Sequence, residues 1–169
     1  MRTTFKFMAL VVMAFVTSVA ILPIELTHAA SGEEIIKARV AYMDDDVGRQ
    51  WKVLAAFGKG GTGSLADVEK SAATLAELAK KLPTHFPKDT GRGNFPDKMT
   101  RSLPAIWTNA AEFQKISQMF ATESAKLAAL AKAGNKDAVV DIIGNTGSYN
   151  RSKLGCGECH EKFRGDQAR

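Results

Sequence analysis

Cysteine is nearly absent from this chain, with two residues in 169, too few for the multi-disulfide framework that staples small secreted scaffolds. Proline is also sparse, at five residues. No segment alternates apolar and polar residues with the period of two that a half-buried strand requires. Basic residues outnumber acidic ones 23 to 18, yet they are scattered and never form a run of five or six. Charge therefore leaves no nucleic-acid footprint, and no nucleic-acid partner is expected. What is present, 45% apolar and 24% charged residues, is the composition of one ordinary globular core and excludes a disordered or collagenous chain.

The single long apolar run lies at the start. Arg2 and Lys6 precede it, it extends from Phe7 to Leu22, and Pro23 ends it. Small residues Ala29, Ala30 and Ser31 follow where a signal peptidase would cut. The pattern predicts a secretory signal over residues 1–29, removed to leave an exported, soluble, periplasmic domain over 30–169. The competing reading is a retained membrane anchor, since the run approaches the length that spans hydrocarbon; Pro23 and the small-residue cluster fit processing better.

Four helices are expected beyond the signal. Ser31 with Glu34 has capping-box spacing, and Ile36, Val40, Met43, Val47, Trp51 and Leu54 recur in steps of three or four as one apolar stripe. Gly58 to Gly61 ends this first helix. Ser64 opens the second, with stripe Leu65, Val68, Ala72, Leu75, Leu78 and Leu82, and Pro83 stops it. An aperiodic loop of about twenty residues follows, and loops of that length in a compact domain usually have a job. Pro104 starts the third helix, with Ile106, Ala110, Phe113, Ile116, Phe120, Leu127 and Leu130 inward, ending at Gly134. Asn135 caps the fourth, with Val139, Ile142, Ile143, Thr146 and Tyr149 inward. Amphipathic helices can hide their stripes only against one another, so the fold class is all-α, an antiparallel four-helix bundle.

Near the C-terminus the chain reads Cys156-Gly157-Glu158-Cys159-His160, and these are its two cysteines. Chance would produce this arrangement in roughly one chain in several thousand. The C-x-x-C-H spacing suits covalent haem: each thiol adds to one of two vinyl groups, and the adjacent imidazole serves as an axial ligand to iron. At i, i+3 and i+4 of a helix the three side chains share one face. A redox disulfide of the C-x-x-C type would need a βαβ context. A structural zinc site would need four ligands, with only the distant His85 to add. Export supports haem, because c-type attachment takes place after secretion. One covalent haem c per chain is the expected cofactor.

A C-x-x-C-H at the far C-terminal end of an exported four-helix protein resembles the class II cytochromes c, cytochrome c prime and its low-spin relatives. The resemblance covers the whole mature chain. It includes Arg39-Val40-Ala41-Tyr42-Met43 in the first helix, Phe86-Pro87 in the loop, Leu103-Pro104-Ala105-Ile106-Trp107, and Glu161-Lys162-Phe163-Arg164 after the motif. It implies that Met43 points into the distal haem pocket, that Arg39 lies near a haem propionate and that Arg164 lies near the proximal histidine. Each has a plainer alternative: Met43 as core filler, and Arg39 and Arg164 as solvated surface charges. His85 is expected to be a surface histidine, and Asp44-Asp45-Asp46 a solvated acidic edge with Asp45 paired to Arg49.

Two functions follow from the resemblance. In the first, the Met43 sulfur is the sixth ligand and the protein carries single electrons between exported redox partner proteins. In the second, Met43 only occludes an open sixth position and the iron binds a small gas such as nitric oxide. The family also implies a homodimer through the first two helices. No acid, base or nucleophile constellation accompanies the motif, so a turnover enzyme is not expected.

Overall fold

A computed structural model describes residues 30–60 and 62–168; the signal segment expected over 1–29 lies outside them. The predicted capping box at Ser31 forms, and a second one forms at Ser64, read from the sequence only as a helix start. The Ser31 hydroxyl accepts from the Glu34 N–H while the Glu34 carboxylate accepts from the Ser31 N–H at 2.7 Å, and Ser64 and Asp67 do the same, with the Ser64 N–H 2.8 Å from the Asp67 carboxylate. These start α1 (Gly32–Ala41) and α3 (Leu65–Lys81). The third limb is a single turn, α4 (Ala105–Thr108), broken at Asn109 from the long α5 (Ala110–Lys132). The Asn135 side chain accepts from the Ala138 N–H and begins α6 (Lys136–Ile143). Among the described residues two isolated bridges are the only β-type pairing.

The first limb departs from the expected stripe. Between α1 and α2 (Gly48–Gly58) the chain makes a π-helical turn over Tyr42–Val47. Its buried residues are Ile36, Arg39 and Tyr42, then Val47, Leu54 and Gly58. The five-residue step from Tyr42 to Val47 is the π insertion, which shifts the helical phase by one residue. Val40, read as inward, is therefore 46% exposed, while Arg39 is 3% exposed. A strict 3.6 period cannot anticipate an inserted residue.

The fourth limb also differs. Instead of one helix running through Tyr149 to His160, α6 stops at Ile143, where Gly144 takes φ +79°. Residues 144–155 then cross the bundle with a short 3₁₀ turn at Tyr149–Arg151, and Gly155 at φ +84° opens a separate helix, α7 (Cys156–Phe163). A left-handed φ is cheap only for glycine, which is why both breaks fall on Gly. Thr146 and Tyr149 consequently lie outside any α-helix.

The closest helix pair is α3 with α5. Their buried faces carry Ser71, Ala72, Ala76 and Ala79 on one side and Ser117, Ser124 and Ala131 on the other, small residues that let the two backbones approach. Leu54, Val68, Leu75, Leu127, Val139 and Ile143 complete a main core, each contributing about 1.5–3 kcal/mol by leaving water. A second, smaller cluster gathers Ile106, Phe113, Ile116 and Phe163, with Phe113 edge-on to both Phe86 and Phe163.

The loop of residues 86–103 is strapped at both ends. The Trp107 indole donates to Phe86 O at 3.0 Å. The Leu103 N–H donates to Phe163 O at 3.0 Å, and the Gly165 N–H to Arg101 O at 2.8 Å. The loop thereby holds the C-terminal segment immediately after α7.

Candidate haem site

α7 carries Cys156, Cys159 and His160 within two turns. Gly157 is required inside the motif, because a Cβ there would run into the backbone of Asn150 in the crossing segment. Both cysteines are free. Cys156 packs against the main core and Cys159 against the second cluster, so the two thiols stand at the seam between them. Burial pushes Cys156 up to about 11 and, with Cys156 and Glu158 nearby, Cys159 up to about 12. These are protonated thiols at neutral pH. Thiol–disulfide exchange and zinc binding need thiolates, and among the described residues no three His, Cys, Asp or Glu side chains gather to hold a metal ion.

His160 is held down to about 4, mainly by burial and then by Arg164 and Arg101. Its imidazole is neutral at pH 7 and keeps a lone pair for a ligand bond. Arg164 Nη1 lies 3.2 Å from His160 Nδ1 and donates to the Tyr149 hydroxyl at 3.1 Å. The Tyr149 ring stands edge-on to the imidazole, centroids 5.0 Å apart at 82°. A cleft of about 570 Å³ opens here, lined among others by Arg101, Tyr149, His160 and Arg164. The structure thus brings together four of the expected site residues: Cys156, Cys159, His160 and Arg164.

Met43 sits on the π turn, half-buried, against the same core as Cys156. Its neighbour Tyr42 stacks on His85, centroids 3.8 Å apart, and donates to Leu78 O. His85 is therefore half-buried against an aromatic ring and not a free surface histidine. Arg39 is no solvated surface charge either. Its guanidinium donates to Thr90 Oγ1 at 2.9 Å, Thr90 O at 2.7 Å and Thr100 Oγ1 at 3.0 Å, and it lies over the Phe86 ring at 4.9 Å. Burial alone lowers it to about 10.

These residues fit a c-type haem. Two free cysteines three residues apart on α7 can supply two thioethers, a neutral imidazole suits an axial bond, and Arg39 is a buried cation that no described carboxylate compensates. Sequence reasoning missed Tyr149 and Arg101 as parts of the site. Tyr149 falls on an inward position of an uninterrupted fourth helix, and only the break at Gly144 brings it to His160.

Comparison with known proteins agrees with this arrangement. The family model described as Cytochrome C' matches residues 34–164. A cytochrome c' of Rhodopseudomonas palustris is 34% identical over 140 residues, covering 80% of this chain and 85% of that protein. The structure is similar to cytochrome c' from Rhodobacter spheriodes, with TM-score 0.66, 28% identity, and coverage of 81% of this chain and 99% of that one. It is also similar to a cytochrome c' with a ligand-controlled dimer dissociation, with TM-score 0.65, 27% identity, and coverage of 82% and 100%. The chain belongs to the cytochrome c' family of class II cytochromes c, four-helix proteins that carry covalently attached c-type haem.

Proposed function

We propose that the chain is a periplasmic one-electron carrier, exported by a signal over residues 1–29 and active as the haem domain over 30–169. Cys156 and Cys159 hold the haem through thioethers, His160 is the proximal ligand, and Met43 supplies the sixth ligand from the opposite limb. A bound haem iron supplies the one-electron chemistry. The observation that carries the reading is α7 itself, where two protonated thiols and a neutral imidazole lie within two turns of one short helix. Met43 supports the distal assignment by packing on the same core as Cys156. A thioether on iron stabilises the reduced state and raises the potential, which suits exchange with exported redox partner proteins. Arg39, a buried cation already tied to Thr90 and Thr100, would have its charge balanced by an anionic propionate, and Arg164 flanks the proximal imidazole.

A second reading has one specific support, the relative whose dimer dissociates under ligand control. On that reading Met43 only shields an open sixth position, a small neutral gas such as nitric oxide is the ligand, and a homodimer responds to it. Spectra decide between the two. Wild-type protein with a bonded thioether gives a low-spin spectrum with a weak sulfur-to-iron band at the red end. Met43→Ala erases that band and opens the iron to carbon monoxide. A high-spin wild type in which Met43→Ala changes only the rate of gas binding overturns the carrier reading in favour of the gas-binding one.

Covalent attachment is checked separately. After denaturation the wild-type chain is heavier than its polypeptide by one haem on mass spectrometry, and the doubly substituted Cys156→Ala, Cys159→Ala chain has the bare mass.

A further inference from the structure

The first limb carries two helical registers in one stretch of sequence. Ile36, Val40, Met43, Val47 and Leu54 are spaced by three, four or seven residues and would share one face of an unbroken α-helix. The structure buries Ile36, Arg39 and Tyr42 instead, and reaches Val47 and Leu54 through the π turn. The two registers differ most at residue 43. In an unbroken helix Met43 fills the core position one turn before Val47. In the π register Tyr42 fills that position, 5% exposed, and Met43 stands beside it, half-buried. Apolar burial alone would favour the unbroken helix, which takes Val40 and Met43 inward. The π register is selected by polar and aromatic bonds. The Tyr42 hydroxyl donates to Leu78 O of α3, and its ring stacks on His85, centroids 3.8 Å apart at 21°. His85 ends the 3₁₀ turn Leu82–His85 that continues α3, so both partners ride on the regular α3–α5 pair. One turn earlier Arg39 grips the same segment through Thr90 and, at 3.5 Å, His85 O. At the other end the Gly48 N–H closes the turn on Met43 O, and a Cβ on Gly48 would stand only 3.2 Å from that oxygen.

Resting on the reading of Met43 as the sixth ligand, we propose that Tyr42 is a positioning residue for that ligand: clamped between Leu78 O and the His85 ring, it locks the first limb in the π register, where Met43 stands clear of the core line and is available to iron. In the unbroken register Met43 is core filler and the sixth position opens. The two roles of this methionine are thus two registers of one helix. Register shifts of a helix run on microseconds to milliseconds, so the lock sets a standing balance between a closed and an open iron. A ligand that competes with Met43 binds only the open population, and its apparent affinity scales with that population. Loosening Tyr42 therefore raises the affinity for such a ligand without touching any group on the iron.

The probe is carbon monoxide, titrated into the reduced, haem-loaded protein and its variants Tyr42→Phe, His85→Ala, Met43→Ala and the double variant Tyr42→Phe with Met43→Ala. Tyr42→Phe keeps the stacked ring and loses the bond to Leu78 O. It should raise the carbon monoxide affinity about fivefold, the weight of one net hydrogen bond, and weaken the sulfur-to-iron band in step. His85→Ala removes the stack and should raise the affinity by about as much. Met43→Ala should raise it further than either, and adding Tyr42→Phe to Met43→Ala should change nothing more, because no sulfur is left to position. A purely structural role would lower the thermal midpoint and leave the affinity at its wild-type value. Tyr42→Phe with unchanged or lowered affinity overturns the proposal, and so does a fivefold rise that persists in the Met43→Ala background. Met43→Ala separates the two layers. An unmoved affinity in that variant overturns Met43 as the ligand, whereas a large rise there beside an unmoved Tyr42→Phe overturns only the role of Tyr42.

Discussion

The α3–α5 pair and the two outer limbs follow different rules. The pair is regular: unbroken helices, alanine and serine at the seam, leucines fully buried. The outer limbs are each interrupted, the first by the π turn at Tyr42–Val47 and the last by residues 144–155. Every expected site residue lies on an interrupted limb or directly after one: Arg39, Met43, Cys156, Cys159, His160 and Arg164. The regular pair supplies rigidity and the irregular limbs supply position. An interruption re-aims side chains that a continuous helix would send elsewhere, as it does for Arg39 and Tyr149.

Substitutions on either side of that division should separate stability from the spectrum. Leu75 is 1% exposed at the centre of the regular pair, and Leu75→Ala should cost about 2–5 kcal/mol through the lost burial and the residual cavity. Urea unfolding measures it, and the haem absorption should not change. A shifted spectrum would show that the regular pair also positions the site.

On the C-terminal limb the effect is linked to protons. In the haem-free chain, where no iron holds the ring, the His160 imidazole resists protonation down to about 4, against 6.5 for an ordinary histidine. Between those values the unfolded chain binds the extra proton, so stability is full above pH 6.5 and declines as the pH falls toward 4. The loss should amount to about 2 kcal/mol after allowance for partial exposure, and His160→Gln should flatten the curve of urea midpoint against pH. An equal slope in both proteins would place the titration on another residue.

The smallest effect is expected at the surface link between α6 and the crossing segment, where Lys153 Nζ is 2.7 Å from Asp141. Both side chains are mostly exposed, and Asp141→Asn should change stability by less than about 1 kcal/mol. The Lys153 N–H bond to Ile142 O, at 2.9 Å, holds the segment regardless. A larger loss by thermal unfolding would mean that the crossing segment is held by charge and not by its backbone.

Signals confined to a few adjacent residues were legible in the sequence. The capping box at Ser31, the helix start at Ser64, the Asn135 cap and the C-x-x-C-H each depend on neighbours within one turn, and each stands where it was read. Longer-range features were not legible. One inserted residue in the π turn is invisible to a periodic pattern, yet it moves Val40 out and Arg39 in. The break at Gly144 is written only as one glycine among 14. Arg39 could be read as a surface charge because its partners, Thr90 and Thr100, lie more than fifty residues away.

The strap between the loop and the tail also bears on the order of assembly. The bonds Leu103 N–H to Phe163 O and Gly165 N–H to Arg101 O close a stretch of about sixty residues, and closing a flexible loop of that length costs about 4 kcal/mol in chain entropy. Two backbone hydrogen bonds, at about 1 kcal/mol net each, do not offset that. Phe163, 3% exposed against Phe113, contributes the rest. Helix α7 therefore docks as one cooperative unit, its two strap bonds and the burial of Phe163 forming together.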